Sequence, residues 1–258
     1  MPLRAPSRSP SLGDWNKLYR TYRAPHDTPV TDYEVNPTPI RRRYCPDVDE
    51  PRYFSTRLTD DPRRAAVWTH VARYLRPWVR ADGSVLDLAA GRGELTAALD
   101  AKRRVAIDLH PGLAELVPED VEAVVGDATD LSPFADAEFD TVTASNFIEH
   151  LEHAEIDRCF TEVFRVLRPG GHLILIQPNF ALTPRAYFDD YTHRTIHTDV
   201  SLADRLGAAG FDMVHVERRF LPLSMRSRLS FGHRLVPLYL RLPWRPLAGQ
   251  MLLVARRP

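Results

Sequence analysis

The chain has 258 residues, 34 basic side chains balanced by 34 acidic ones, and apolar and charged contents of 44% and 26%. These values fit a soluble globular protein with a sizeable core of its own, and zero net charge leaves no electrostatic footprint for nucleic acid. Cys45 and Cys159 stand in no metal-ligand spacing, no apolar run approaches the ~20 residues that span a bilayer, and residues 1–10 lack the apolar stretch of a secretory signal, so a reduced, cytoplasmic protein is expected.

Residues 1–60 are rich in Pro, Arg and Tyr without sustained periodicity. They read as an irregular N-terminal arm whose aromatics pack on something or form an active-site lid. The main domain is expected over 61–258. Asp61 before Pro62 is a helix N-cap with proline at the first helical position, and Ala66, Val67, Val71, Tyr74 and Leu75 follow at helical spacing. Short apolar runs at 84–88, 104–108, 123–125, 139–144 and 172–176 have the character of strands buried on both faces. Between the last two, Ile156, Phe160, Val163, Phe164 and Leu167 give one helical face, which Pro169-Gly170-Gly171 is expected to stop. A helix from about Thr198 to Ala209, a strand over 211–220 and a last strand over 251–255 complete the pattern. Strands alternating with helices predict a doubly wound, Rossmann-like α/β sheet, mostly parallel with an antiparallel last strand.

The first strand runs into Asp87-Leu-Ala89-Ala90-Gly91-Arg92-Gly93-Glu94. Small residues there let the backbone approach a ligand, and glycine tolerates the dihedrals of a tight strand-to-helix turn. About 20 residues on, Asp108 ends the next strand, where a carboxylate can hydrogen-bond ribose hydroxyls. Glu94 at the helix start is unwelcoming to a pyrophosphate, so a ligand with ribose and a cationic group suits the turn better than a nicotinamide dinucleotide.

These segments resemble the ordered motifs of class I S-adenosylmethionine-dependent methyltransferases over roughly residues 82–179, with Ala89 in place of the family's first glycine. The resemblance implies S-adenosylmethionine as cofactor. Asp87, Ala89, Gly91 and Gly93 would lie around its methionine part, and Asp108 with Leu109 at the ribose. Asp127 and Ala128 would lie at the adenine, and Asn146, at the end of the fourth strand, would face the methionine part of the cofactor and the substrate.

Methyl transfer to oxygen or nitrogen usually needs a base. Two polar stretches should flank the carboxyl ends of the strands, 146–153 and 187–194 within the substrate-side segment 180–197. His193 is favoured as base, with His150 the second candidate and Asp190 beside it. Asp189 and Asp190 are each open to three roles: orienting the histidine, binding sugar hydroxyls or holding a divalent ion. Asp189, Tyr191 and Arg194 are the substrate-binding candidates. His193 and His197 stand four apart but lack a third ligand, so no metal site is assigned. The insertion 221–249 is basic and apolar. It suits phosphate groups or an anionic membrane surface, the interface of a homo-oligomer, or a cover over the core. The function expected is O-methylation of a sugar-like or other small hydroxyl acceptor, lipid- or phosphate-linked acceptors included. N- or C-methylation of a small natural product and cofactor binding without turnover are the alternatives, and a nucleic-acid substrate is disfavoured.

Overall fold

A computed structural model describes residues 61–223 and 232–258. The expected N-terminal arm and the middle of the 221–249 insertion lie outside the described residues. Seven strands form one sheet: β1 (Ser84–Leu88), β2 (Arg103–Asp108), β3 (Glu122–Val125), β4 (Phe139–Ser145), β5 (Leu167–Pro178), β6 (Asp212–Glu217) and β7 (Gln250–Arg256). Their order is β3-β2-β1-β4-β5-β7-β6. Neighbours among β1 to β5 are parallel, whereas β7 runs antiparallel to both β5 and β6. The doubly wound architecture is therefore as expected. The strand order reverses between β1 and β4, and in such sheets ligands sit above that switch point, outside the carboxyl ends of the strands.

The central strands are buried on both faces because their side chains alternate between two helical layers, whereas the edge strands β3 and β6 are partly exposed, so the expected two-sided burial of 123–125 does not hold. Leu173 and Leu175 of β5, with Leu253 and Ala255 of β7, pack with Ile156, Phe160 and Val163 of helix α4 (His153–Val166). Ile174, Ile176, Leu252 and Val254 face the opposite layer with Val67, Val71 and Leu75 of helix α1 (Pro62–Leu75). Helix starts are fixed by side chains. Asp61 Oδ1 accepts from Arg63 N at 3.0 Å. Glu152 and Glu155 form a reciprocal capping box on α4. Thr198 and Ser201 do the same for helix α5 (Asp199–Ala208). Two short helices, α2 (Glu94–Ala98) and α3 (Leu113–Leu116), follow β1 and β2, and α6 (Val236–Arg241) lies in the insertion.

Two sequence expectations change. The α4 helix stops at Val166, three residues before Pro169, and Leu167 already pairs with Phe139 as the first residue of β5. Thr141 then pairs with His172, so Arg168–Gly171 bulge from the ladder. Gly170, at φ +80°, donates to Arg257 O, and Arg257 N donates to Gly171 O. The second change concerns Arg245, one of the arginines read as a basic surface. It is 4% exposed. Its guanidinium is ion-paired with Glu217, donates to Leu240 O at 2.6 Å and to Arg219 O at 3.2 Å, and lies 5.4 Å above the Tyr74 ring. It is a structural tie rather than an anion receptor. The insertion does expose apolar side chains, among them Leu238, Trp244 and Leu247. No described helix is long and apolar enough to cross a membrane.

Candidate active site

The β1–α2 turn has the conformation that its small residues allow. Ala89, Gly91 and Gly93 all have positive φ, at 49°, 59° and 66°. Ala89 is thus an alanine in left-handed backbone, a strained conformation of the kind that collects at binding sites. Three amides of the turn are already engaged by the protein. Ala90 N donates to Ile107 O, Gly93 N to Ala90 O, and Gly91 N to Asp108 Oδ2 at 2.8 Å. Amides spent this way cannot cradle a pyrophosphate, and this is a stronger objection to a dinucleotide than Glu94. That carboxylate is neutralised by Arg64 at 2.7 Å, a pairing that the sequence did not reveal.

Gly93 also has no room for a side chain, because a Cβ would meet Val117 Cγ1 at 2.4 Å. Gly93→Ala should therefore combine a left-handed backbone penalty with overpacking, about 2–4 kcal/mol together. Its melting temperature is expected to fall by the order of 10 °C. A Gly93→Ala/Val117→Ala double variant should recover the steric part alone, a coupling of roughly 1 kcal/mol or more. Strict additivity in thermal melts would refute this reading of the turn.

Three carboxylates stand at the ends of β1, β2 and β3. Asp87 is buried and accepts from Thr96 Oγ1 at 2.5 Å and from Thr143 Oγ1 at 2.7 Å, so it staples β1 to α2 and β4. Burial pushes its pKa up to about 6, against the lowering effect of the two hydroxyls. Asp108 uses its second oxygen to accept from His110 N at 2.9 Å, and burial raises its pKa too. Leu109, half-buried, follows it. Asp127 Oδ1 accepts from both Thr129 N and Thr129 Oγ1 at 2.8 Å, with Ala128 buried beside it. At the end of β4, Asn146 has φ +48° and its Oδ1 accepts from Gln250 Nε2 at 2.8 Å.

The acceptor-side candidates come together in part. Residues 187–197 are stitched onto the turn after β4: Arg194 N and Thr195 N both donate to Glu149 O, and Thr195 Oγ1 to Ile148 O. His150 and His193 then meet edge to face with ring centroids 4.9 Å apart, and the Tyr187 ring also meets His193 edge to face at 4.7 Å. Asp190 Oδ1 accepts from Thr192 N and Thr192 Oγ1, and Thr192 Oγ1 lies 2.9 Å from His150 Nδ1. Tyr191 is 72% exposed, Asp189 is exposed, and Arg194 reaches toward Glu152 at 3.6 Å. Those three substrate candidates are thus on the rim rather than at the histidines. His197 turns elsewhere, with Nε2 against Thr195 Oγ1 at 2.9 Å. His153 is the first residue of α4 and is bonded to Arg205.

The residue that sequence reasoning passed over is Glu149. It is 1% exposed, and neither carboxylate oxygen has a hydrogen-bond partner among the described residues. Its Oε1 lies 3.9 Å from both His150 Nε2 and His193 Nε2. Burial pushes its pKa up to about 8, while burial and then His193 hold His150 well below the usual histidine range. The available signal was a lone carboxylate inside the apolar run Phe147-Ile148-Glu149-His150-Leu151.

The strand order, the positive-φ turn and the acid ending β2 are those of the class I S-adenosylmethionine-dependent methyltransferase fold. S-adenosylmethionine is the cofactor of that class; the carboxylates after β2 and β3 are acceptors of the type that hydroxyls and an amino group require, and three turn amides are already engaged within the protein, against a pyrophosphate. Residues 86–175 match the family model described as a methyltransferase domain. Among curated relatives, the chain is 40% identical over 114 residues to a demethylmenaquinone methyltransferase of Clavibacter sepedonicus, covering 40% of this chain and 45% of that protein. It is 31% identical over 162 residues to a malonyl-[acyl-carrier protein] O-methyltransferase of Methylococcus capsulatus, covering 57% of this chain and 58% of that protein. The chain thus spans about half the length of the curated relatives it matches. A solved S-adenosylmethionine-dependent methyltransferase from Archaeoglobus fulgidus shares the fold with TM-score 0.59 at 19% identity, over 81% of this chain and 100% of that one.

Proposed function

We propose that the chain transfers the methyl group of S-adenosylmethionine to a hydroxyl oxygen of a small acceptor. The observation that carries this reading is the convergence of His150, His193 and Glu149 at the carboxyl end of β4, beside the switch point where the cofactor cradle opens. S-adenosylmethionine, when bound, supplies an activated methyl on sulfonium. Asp108 would hold the ribose, Asp127 and Ala128 the adenine, and Asp87 would keep β1, β4 and α2 in place beneath the methionine part. On the acceptor side, His193 is the group suited to take the hydroxyl proton, with Asp190 acting through Thr192 to fix the neighbouring His150. Asp189, Tyr191 and Arg194 on the rim suit a hydroxylated acceptor such as a sugar. Exposed Leu238, Trp244 and Leu247 support an acceptor that also carries an apolar portion. One relative's name specifies O-methylation, while other relatives are named for a different acceptor, demethylmenaquinone, and carbon methylation is the second reading.

The test is transfer of isotopic methyl from S-adenosylmethionine to a panel of glycosides, hydroquinones and acyl thioesters, with the product bond located by mass spectrometry and NMR. A methyl ether or ester is the expected product. A carbon-bound methyl would move the assignment to C-methylation. Tight S-adenosylhomocysteine binding without transfer to any acceptor would favour a cofactor-binding protein without turnover.

A further inference from the structure

We propose that Glu149, His150 and His193 form a binding site for one divalent transition-metal ion, of the kind zinc occupies. The spacing of His193 and His197 supplied no third ligand, but folding brings the pair Glu149-His150 up from the turn after β4 instead. One potential ligand atom from each of the three residues lies within 4.8 Å of the others. Ligands 2.0–2.1 Å from a tetrahedral zinc stand ~3.4 Å apart. The observed 3.9 Å from Glu149 Oε1 to each Nε2 closes to that value with a shift of about half an ångström, within reach of small side-chain rotations.

Three further observations point to a cation. The first is the Glu149 carboxylate, buried with both oxygens unpartnered among the described residues. Such a group is disfavoured in a dry interior unless it is protonated or a cation meets it. The second is the tautomer of His150. Thr192 Oγ1 has one proton, which it gives to Asp190 Oδ1 at 2.5 Å, so it can only accept from His150 Nδ1. The ring proton therefore sits on Nδ1, and the lone pair of Nε2 faces Glu149. Metal-binding histidines are oriented in this way, by a partner on the other ring nitrogen that is itself held by a carboxylate. The third is access. The His150 side chain keeps 22% exposure whereas His193 keeps 8% and Glu149 1%, so an ion has an entry path along His150.

Two imidazoles and one carboxylate fill three positions and leave at least one open, as in catalytic rather than structural zinc sites. With the ion bound, the lone pair of His193 Nε2 is spent on the metal, so the ion would replace His193 as the group that favours the ionised acceptor oxygen, the proton leaving to solvent. The role in catalysis rests on the methyl-transfer reading, but the binding of the ion does not.

The experiment uses the full-length chain, stripped with chelator and titrated with Zn²⁺ by calorimetry and with Co²⁺ by visible absorption. S-adenosylhomocysteine binding is measured on the same samples. One ion per chain is expected, with Co²⁺ giving the intense visible bands of a four- or five-coordinate site. Thr192→Val should weaken Zn²⁺ by about 10–100-fold, and Glu149→Gln and His193→Ala by more than that, with circular dichroism melts reporting that each variant is folded. Absence of stoichiometric binding, or binding that Glu149→Gln and His193→Ala leave within about twofold of wild type, overturns the proposal. Metal binding without S-adenosylhomocysteine binding would sink the methyl-transfer reading and leave the metal site standing.

Discussion

Replacing Asp108 by alanine is expected to cut S-adenosylhomocysteine affinity by about 10²–10⁴-fold, since each hydrogen bond to a charged acceptor contributes about 1.5–3 kcal/mol and ribose offers two hydroxyls. The loss has a second source in this structure. Asp108 Oδ2 holds Gly91 N and Oδ1 holds His110 N, so one carboxylate ties the β1 turn to the β2 turn. Without it the positive-φ turn loses an anchor, and the cofactor must order the turn as it binds. Asp108→Asn keeps an acceptor oxygen but not the charge, and should lose roughly tenfold, between the two extremes. Calorimetric titration of wild type and both variants, beside NADH, measures this directly. Wild type should show no NADH affinity, because Ala90, Gly91 and Gly93 amides are already bonded within the protein. Equal S-adenosylhomocysteine affinity in wild type and Asp108→Ala would remove Asp108 from the ribose site.

The backbone turn and the strand-end carboxylates of the candidate cofactor site were legible in the sequence because their determinants are local. Asp87, Gly91 and Gly93 lie within one strand-turn unit, and Asp108 ends the next strand at a spacing set by one βαβ turn of chain. The acceptor side was half legible. His150 and His193 stand out as titratable residues in polar stretches, but Glu149 acquires meaning only when a segment over 40 residues away is laid against its carbonyl. No periodicity encodes that contact. The same holds for the bulge at Arg168–Gly171. The Pro-Gly-Gly signal marks a break, but whether it ends the helix or interrupts the strand depends on Phe139 and Arg257, which pair with either side of it. Charge patterning misled at Glu94 and Arg245, since composition along the chain cannot distinguish a solvated charge from one folded onto a partner.

Arg245→Ala should be the most destabilising of the substitutions considered, and it should leave the cofactor affinity unchanged. The guanidinium is buried against Glu217, the Arg219 and Leu240 carbonyls, and the faces of Tyr74 and Phe220. Tyr74 of α1 donates in turn to Glu217 Oε2 at 2.8 Å, so this one side chain joins α1, the end of β6 and the last turn of α6. Truncation leaves the part-buried Glu217 carboxylate with only its Tyr74 donor, strips several carbonyls of theirs and empties the space of the guanidinium, a loss of about 3–5 kcal/mol. For a domain of this size that corresponds to a fall in melting temperature of the order of 10 °C. Arg245→Lys keeps the charge but cannot span the carboxylate and the carbonyls together, so it should fall between wild type and alanine. The decisive variant is Arg245→Met/Glu217→Leu, which removes both charges and fills much of the volume. If the damage in Arg245→Ala comes from the stranded Glu217 charge, this double variant melts well above the single one. A double variant no more stable than Arg245→Ala would assign the loss to the carbonyl bonds and ring contacts instead. In both cases S-adenosylhomocysteine should bind as in wild type, because Arg245 touches none of the residues of the cradle. A matching loss of cofactor affinity would mean that the insertion and the cofactor site fold as one unit.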